Sequence, residues 1–290
     1  MIISRLKDGL GNQMFQYAVG KSLSLLKGDE LFLDSSWYER DAPRQYGLAA
    51  FNISAKPLGG WLKICINQLR RKHCACLRAL LQACRIPFGF KLIVDIKKGF
   101  DDRLTKASGN IYLDGYWQSE CYFKGIRDII LREFTFKNAP DPLNSAMLAS
   151  ISQGNAVCVH VRRGDYLSTT NQGIHGLCDL DYYRRATEYI RSQVSNPSFF
   201  VFSDDPQWVE TNFPGVKQLT AVTHNVGCKD LEDLRLMMNC RHFIIANSSF
   251  SWWAAWLAQS SDKIVVAPKR WHVSAKLSDK DLIPERWIRL

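Results

Sequence analysis

The chain opens on a short apolar run, Ile2-Ile3-Ser4-Arg5-Leu6, followed by Asp8-Gly9-Leu10-Gly11-Asn12. Met14, Phe15, Ala18, Ser22, Leu25 and Leu26 then recur near helical spacing, which turns one face of a helix toward a core. Glu30–Asp34 reads as the next strand, so the chain begins β-α-β. In the second half, Ala156–Val161, Phe199–Phe202 and Phe243–Ala246 are apolar runs of strand length. Each ends in polar residues: Arg162-Arg163-Gly164-Asp165, Ser203-Asp204-Asp205 and Asn247-Ser248-Ser249. Val222 and Ile264–Ala267 mark further strands, with helices predicted over Asp181–Val194 and Leu231–Cys240. Short apolar strands alternating with helices predict a parallel sheet covered on both faces. Ligands of such sheets bind beyond the carboxyl ends of the strands, where the three polar clusters converge.

The stretch Asp141-Pro142-Leu143-Asn144, after Lys137-Asn138-Ala139-Pro140, has the composition of a domain boundary. The expected division is 1–145 and 146–290, with the last helix crossing back. Between Ala42 and Val94 lie nine basic residues and no acidic one, so this stretch carries nearly all of the net charge of +10. A helix predicted over Leu62–Cys84, within a basic insert at about 56–91, places Leu62, Ile66, Leu69, Leu77, Leu80 and Leu81 on one face. Arg71, Arg78 and Arg85 recur on another. Such a helix either packs on the core with a solvated basic face or lies on an anionic membrane. No groove-reading motif accompanies the charge, so nucleic acid is not expected as a partner.

With 46% hydrophobic and 23% charged residues in 290, the chain can bury a substantial core. No apolar run reaches the roughly 18 residues that span a bilayer. The opening residues lack the regions of a secretory signal, and a cytoplasmic location is expected. Nine cysteines, several inside apolar runs, point to reduced thiols. His73, Cys74, Cys76 and Cys84 lack a second pair at zinc-finger spacing.

In His160-Val161-Arg162-Arg163-Gly164-Asp165, strand alternation points His160 and Arg162 to one side. An arginine at a strand's carboxyl end clamps a diphosphate through paired N–H donors; the alternative is a surface ion pair with Asp165. In Asn247-Ser248-Ser249-Phe250-Ser251-Trp252-Trp253 the serines either simply cap the following helix or turn its N–H groups toward an anion. Trp252 and Trp253 read as core anchors. The glycines of Asp8–Asn12 are not a dinucleotide fingerprint, since Met14 stands where the third glycine belongs. Two D-x-D triplets occur, Asp179/Asp181 and Asp279/Asp281. Asp181 reads as a helix N-cap and Asp279 as a turn residue, so neither is expected to hold a metal. Arginine and backbone N–H groups would then neutralise a leaving diphosphate.

The blocks GLGNQMFQYA (Gly9–Ala18), LDGYWQSECYF (Leu113–Phe123), HVRRGDY (His160–Tyr166), VFSDDPQWV (Val201–Val209) and ANSSFSWWAAWL (Ala246–Leu257) together resemble the bacterial α-1,2-fucosyltransferases. Residues 42–100 match weakly. The resemblance implies an α/β architecture of two Rossmann-like domains facing a cleft, the GT-B type, with the acceptor side in the N-terminal domain and GDP-fucose in the C-terminal one. It implies an inverting, metal-independent transferase without a cofactor, moving fucose to O2 of a terminal galactose during O-antigen synthesis. The acceptor would be a galactose-terminated, lipid-linked oligosaccharide at the inner face of the membrane.

Arg162 is expected on the donor diphosphate, with Asn12 and Asp165 as further catalytic residues. Gly11, Gln13, His160, Arg163, Ser203, Asp204, Asn247, Ser248, Ser249, Phe250 and Ser251 are the expected substrate contacts. Asp165 is nominated as the base; in the related α-1,6 enzymes a glutamate stands where this chain has Thr170. Asp8 departs from the glycine of many relatives. Two other readings stay open: an α-1,6- or protein-O-fucosyltransferase, and a nucleotide-sugar or polyanion binder without catalysis.

Overall fold

The computed structural model describes residues 1–39, 42–60, 63, 90–95, 99–167 (165 by its backbone only), 173, 176–213, 218–225, 227, 229–274 and 278–290. The predicted basic helix with Arg71, Arg78 and Arg85, and Thr170, lie outside these residues. The chain divides into two compact units, Met1–Lys137 with Lys280–Leu282, and Asn138–Asp279 with Ile283–Leu290. The division falls at Lys137/Asn138, a few residues before the expected 145/146, and Asp141 just after it accepts the Asn144 N–H at 2.9 Å and caps a helix over Pro142–Ile151. Proline suits the first turn there because its missing N–H has no partner to lose. Lys280–Leu282 adopts turn conformation.

The first unit holds β1 (Ile2–Arg5), β2 (Leu31–Asp34), β3 (Lys56–Pro57), β4 (Phe90–Val94) and β5 (Asn110–Asp114). They form a parallel sheet in the order β3-β2-β1-β5-β4. Helix α1 (Leu10–Lys27) follows β1, as the apolar spacing predicts. Met14, Phe15 and Ala18 are buried, and the Ser4 hydroxyl donates to the Gln16 carbonyl at 2.6 Å, tying strand to helix. Strand order reverses between β1 and β5, so the loops after these two strands share the crevice where parallel sheets bind ligands.

The second unit holds β6 (Asn155–Val161), β7 (Pro197–Ser203), β8 (Leu219–Val222), β9 (His242–Ile244), β10 (Val265–Ala267) and β11 (Ile288–Arg289). These are parallel in the order β11-β10-β9-β6-β7-β8. Both sheets have the topology of Rossmann-like domains. Val157, Val159 and Val161 of β6 pack with Tyr182, Tyr183, Ala186 and Ile190 of the helix Leu180–Gln193. Asp179, not Asp181, caps that helix, accepting the Tyr182 N–H at 2.7 Å. Asp181 sits within the first turn, where it pairs with Arg184 and Arg185 at 2.6 and 2.9 Å.

Helix α2 (Ser249–Leu257) is buried nearly throughout. Trp252, Trp253 and Trp256 are at most 1% exposed, and Trp252 and Trp256 stack with centroids 6.2 Å apart. These rings are core, so no sugar stacks on them. Cys121, Cys158, Cys178 and Cys240 are free thiols. Among the described residues no helix is long and apolar enough to cross a membrane.

Candidate active site

Three adjacent strands, β9-β6-β7, bring the Asn247, Arg162 and Asp204 segments side by side at their carboxyl ends. The order reverses between β6 and β9, so Arg162 and the Asn247 loop flank the switch point.

The Asp204 carboxylate spans both arginines. One oxygen pairs with the Arg162 guanidinium at 2.9 Å, and the other accepts the Arg163 backbone N–H at 2.8 Å. Asp205 caps the helix Pro206–Asn212 through the Trp208 N–H at 3.1 Å, while its second oxygen meets the Arg163 guanidinium at 3.1 Å. Ser203 accepts the Asp205 N–H at 2.9 Å. Arg163 also lies 4.4 Å above the Trp208 ring, a cation–π contact. Arg163 is thus held between a carboxylate and an aromatic face. Arg162, bonded to Asp204 through one terminal nitrogen, remains 22% exposed. A guanidinium is a planar fork of N–H donors that matches a phosphate or carboxylate, and this one is partly exposed at the strand end.

Tyr166 links Arg162 to the Asn247 loop. Its ring lies 5.6 Å from the Arg162 guanidinium carbon, and its hydroxyl donates to the Asn247 carbonyl at 3.1 Å. The Asn247 side chain is 3% exposed and faces inward. It donates to the carbonyls of Gly176 and Trp271 at 3.3 and 3.2 Å and accepts from the Cys178 thiol at 3.6 Å, tying three loops together.

Ser248 caps α2 by accepting the Phe250 N–H at 3.3 Å, and buried Ser251 donates to the carbonyls of Ser248 and Ala246 at 3.3 and 3.5 Å. Ser249 and Phe250 keep partial exposure at the helix start, where N–H groups give the site a positive end. At the other end of α2, Lys263 donates to the carbonyls of Ala255 and Ala258 at 2.7 and 2.6 Å, so both termini of the helix are fastened.

His160 lies on the face of β6 opposite the valines, with its ring centroid 5.9 Å from that of Phe250. Burial, helped by the Arg162 charge, lowers its pKa to about 3, so the imidazole is neutral beside the arginine. The backbone of Asp165 turns directly after Arg163, with the Leu167 N–H bonded to the Arg163 carbonyl at 2.9 Å.

In the first unit, Gly9 precedes α1 and Gly11 is buried in its first turn. Gln13 is wholly buried: its amide donates to the carbonyls of Asp8 and Gln45 at 3.0 and 2.8 Å and accepts the Gly47 N–H at 2.9 Å. Asn12 accepts from the Gln118 amide at 2.7 Å. Asn12 and Gln13 therefore belong to a different unit from Arg162 and Asp204.

Sequence reasoning did not single out Tyr166, Asp205 or Trp208, although each stands inside a recognised block. Their signal was position: one residue past Asp165, and within one helical turn after Asp204. Among the described residues no three His, Cys, Asp or Glu side chains gather to hold a metal ion. Asp279 pairs with Arg289 instead, and Asp281 accepts the Phe100 N–H at 3.0 Å.

An α-1,2-colitosyltransferase of Escherichia coli is 32% identical, the match covering the whole of this chain and 99% of the relative. The O-antigen biosynthesis glycosyltransferase WbnK of Escherichia coli is 31% identical over 99% of each chain. Mouse galactoside 2-α-L-fucosyltransferase Sec1 is 28% identical over 89% of this chain and 64% of its own. Among solved structures, NodZ α-1,6-fucosyltransferase soaked with GDP-fucose superposes with a TM-score of 0.54 at 17% identity, covering 89% of this chain and 92% of that one. At that identity the likeness speaks for the GT-B fold. Residues 94–290 match the model of glycosyl transferase family 11, and the chain belongs to that family.

Proposed function

We propose that this glycosyltransferase moves L-fucose from GDP-β-L-fucose to O2 of a terminal galactose with inversion, during O-antigen synthesis. The observation that carries the reading is the Arg162–Asp204 pair beside the start of α2 at the switch point of the second sheet. The donor diphosphate lies against Arg162 and the N–H groups of the Ser249–Ser251 turn. In the reaction, the bond from fucose C1 to the diphosphate oxygen breaks with its electron pair leaving on GDP. The galactose O2–C1 bond forms from the opposite side, and the O2 proton passes to a base. Asp165 is the nominated base, because it stands two residues after Arg163 in the turn after β6.

Charge develops on the departing diphosphate as the sugar becomes oxocarbenium-like. A donor already fixed in place stabilises that charge without reorganising. Arg162 is fixed in this way by Asp204 and Tyr166. The arginine and the helix start support catalysis without metal or cofactor. The basic segment with Arg71, Arg78 and Arg85 is proposed to hold the enzyme at the cytoplasmic face of the membrane, near a lipid-linked acceptor.

A second donor has a specific observation in its favour, the full-length similarity to a colitosyltransferase. Colitose is fucose without the 3-hydroxyl, so the same diphosphate site serves both. The test is GDP release with a β-galactoside acceptor, GDP-fucose against GDP-colitose, in the presence of EDTA, followed by linkage analysis. Release from GDP-fucose that requires the galactoside and gives an α-1,2 product supports the reading. Release only from GDP-colitose replaces the donor, and a product linked elsewhere replaces the acceptor position.

A further inference from the structure

The loops after β1 and β5 meet at the switch point of the first sheet, and the segment Asp114–Gln118 there is held at almost every residue. Asp114 pairs with Arg5 and Lys7 at 2.6 and 3.2 Å. A Cβ on Gly115 would fall 2.1 Å from that of Asp95. Trp117 adopts a left-handed φ of 54° and is buried. The half-buried Asp95 accepts the N–H groups of both Tyr116 and Trp117 at 3.1 and 3.0 Å. Gln118 donates to Asn12.

The side chain this scaffold leaves outside is Tyr116, 38% exposed. The Lys7 ammonium lies 4.6 Å from the centre of its ring. Its hydroxyl donates to the Asp8 carboxylate at 2.5 Å. Asp8 itself sits at φ 66°, a conformation glycine adopts freely and a side chain only under constraint. The Asp8 backbone is held there by Tyr38, whose hydroxyl donates to the Asp8 carbonyl at 2.8 Å, and by Gln13. A strained residue and a clamped loop thus cooperate to display one aromatic ring bonded to one carboxylate.

The geometry points to Asp8 and Tyr116 as the galactoside-binding element of the first unit, and so as a determinant of acceptor specificity. This inference rests on the proposed transfer to galactose and names residues for its acceptor side. Galactose has one face made of C–H groups and a rim of hydroxyls. An exposed aromatic ring takes the former, and a carboxylate with unused lone pairs accepts from the latter. Burial and the hydrogen bond to Asp8 both raise the Tyr116 pKa, so its hydroxyl stays protonated and keeps the carboxylate in place.

The test uses the full chain and its D8G, Y116A and Y116F variants, with a β-1,3-linked galactosyl disaccharide and GDP titrated separately by calorimetry. Glycine relaxes the backbone at position 8, so D8G should melt no lower than the parent. The disaccharide Kd is expected to rise about tenfold or more in D8G and Y116A and less in Y116F, with GDP binding changed by less than about twofold. Disaccharide binding unaltered in both D8G and Y116A, or absent from the parent chain, would overturn the inference. Turnover with unchanged acceptor KM in both variants would also overturn it while leaving the transferase reading intact. Galactoside binding lost in the variants of a chain that never turns over GDP-fucose would uphold the binding element and defeat the fucosyl-transfer reading.

Discussion

The Asp204 carboxylate bonds Arg162 through its guanidinium and Arg163 through its backbone N–H, joining the carboxyl ends of β6 and β7 at two points. An arginine anchored in this way does not have to lose rotamer freedom when a ligand arrives. That property makes it suited to a leaving group whose charge grows during the reaction.

Replacing Arg162 by alanine should lower kcat/KM for GDP-fucose by about a hundredfold or more, equivalent to roughly 3 kcal/mol. Lysine should not restore it, because it lacks the planar fork. The melting temperature should change little, since a partly exposed ion pair contributes at most about 1 kcal/mol. Steady-state kinetics beside a thermal melt would check this, and unchanged kinetics in Arg162→Ala would remove the assigned role.

Gly164→Ala probes the same pair without substituting either partner. The added Cβ would lie 2.7 Å from one Asp204 oxygen, and a flexible carboxylate is the group that can yield. Arg162 would lose its anchor. The expected result is GDP affinity weakened by about tenfold with a native far-UV spectrum. Wild-type affinity would mean that Asp204 does not position the arginine.

Tyr166→Phe keeps the ring beside Arg162 but removes the hydroxyl that donates to the Asn247 carbonyl. A neutral hydrogen bond of this kind contributes about 1 kcal/mol. GDP affinity should therefore fall about fivefold, and Tyr166→Ala should do more damage. Equal effects of the two substitutions would show that the hydroxyl alone carries the link, and wild-type affinity in Tyr166→Phe with a loss in Tyr166→Ala would assign it to the ring.

His160 gives the fold a signature in acid. Its pKa is about 3 in the folded protein against 6.5 for an ordinary histidine. The unfolded chain therefore binds a proton below about pH 6.5 that the native state refuses down to about pH 3. The contribution to stability is whole above pH 6.5 and is lost as pH falls through that window, by up to about 1.4 kcal/mol per unit. Urea midpoints of His160→Phe should fall less than those of the parent between pH 6.5 and 4. Parallel pH dependences would assign the acid sensitivity to another group.

Much of the fold is written in local pattern. Strands whose every residue is apolar, such as Phe199–Phe202, and helices with apolar residues three and four apart can be read because burial on both faces, or on one, demands those periods. The polar residues after three such strands are legible from the sequence as a candidate ligand site, because parallel sheets bind ligands beyond the carboxyl ends of their strands. The composition of Lys137–Asn144 marks a domain boundary, and the units divide at Lys137/Asn138; that Asp-Pro there opens a helix is not legible locally, because the pair suits a turn and the first residues of a helix equally well.

Which residues become partners depends on strand order, and no local pattern specifies it. Arg162 and Asp204 are neighbours because β7 lies beside β6, and Tyr166 reaches Asn247 because β9 lies on the other side. The same order turns Asn247 and Gln13 inward as clamps, although both carry the amides of ligand-binding residues. It also sets Asp8 against Tyr116, more than a hundred positions later in the chain. Residue types supply the chemistry that is available, while the long-range pairing of strands decides which groups meet and which stay exposed to bind.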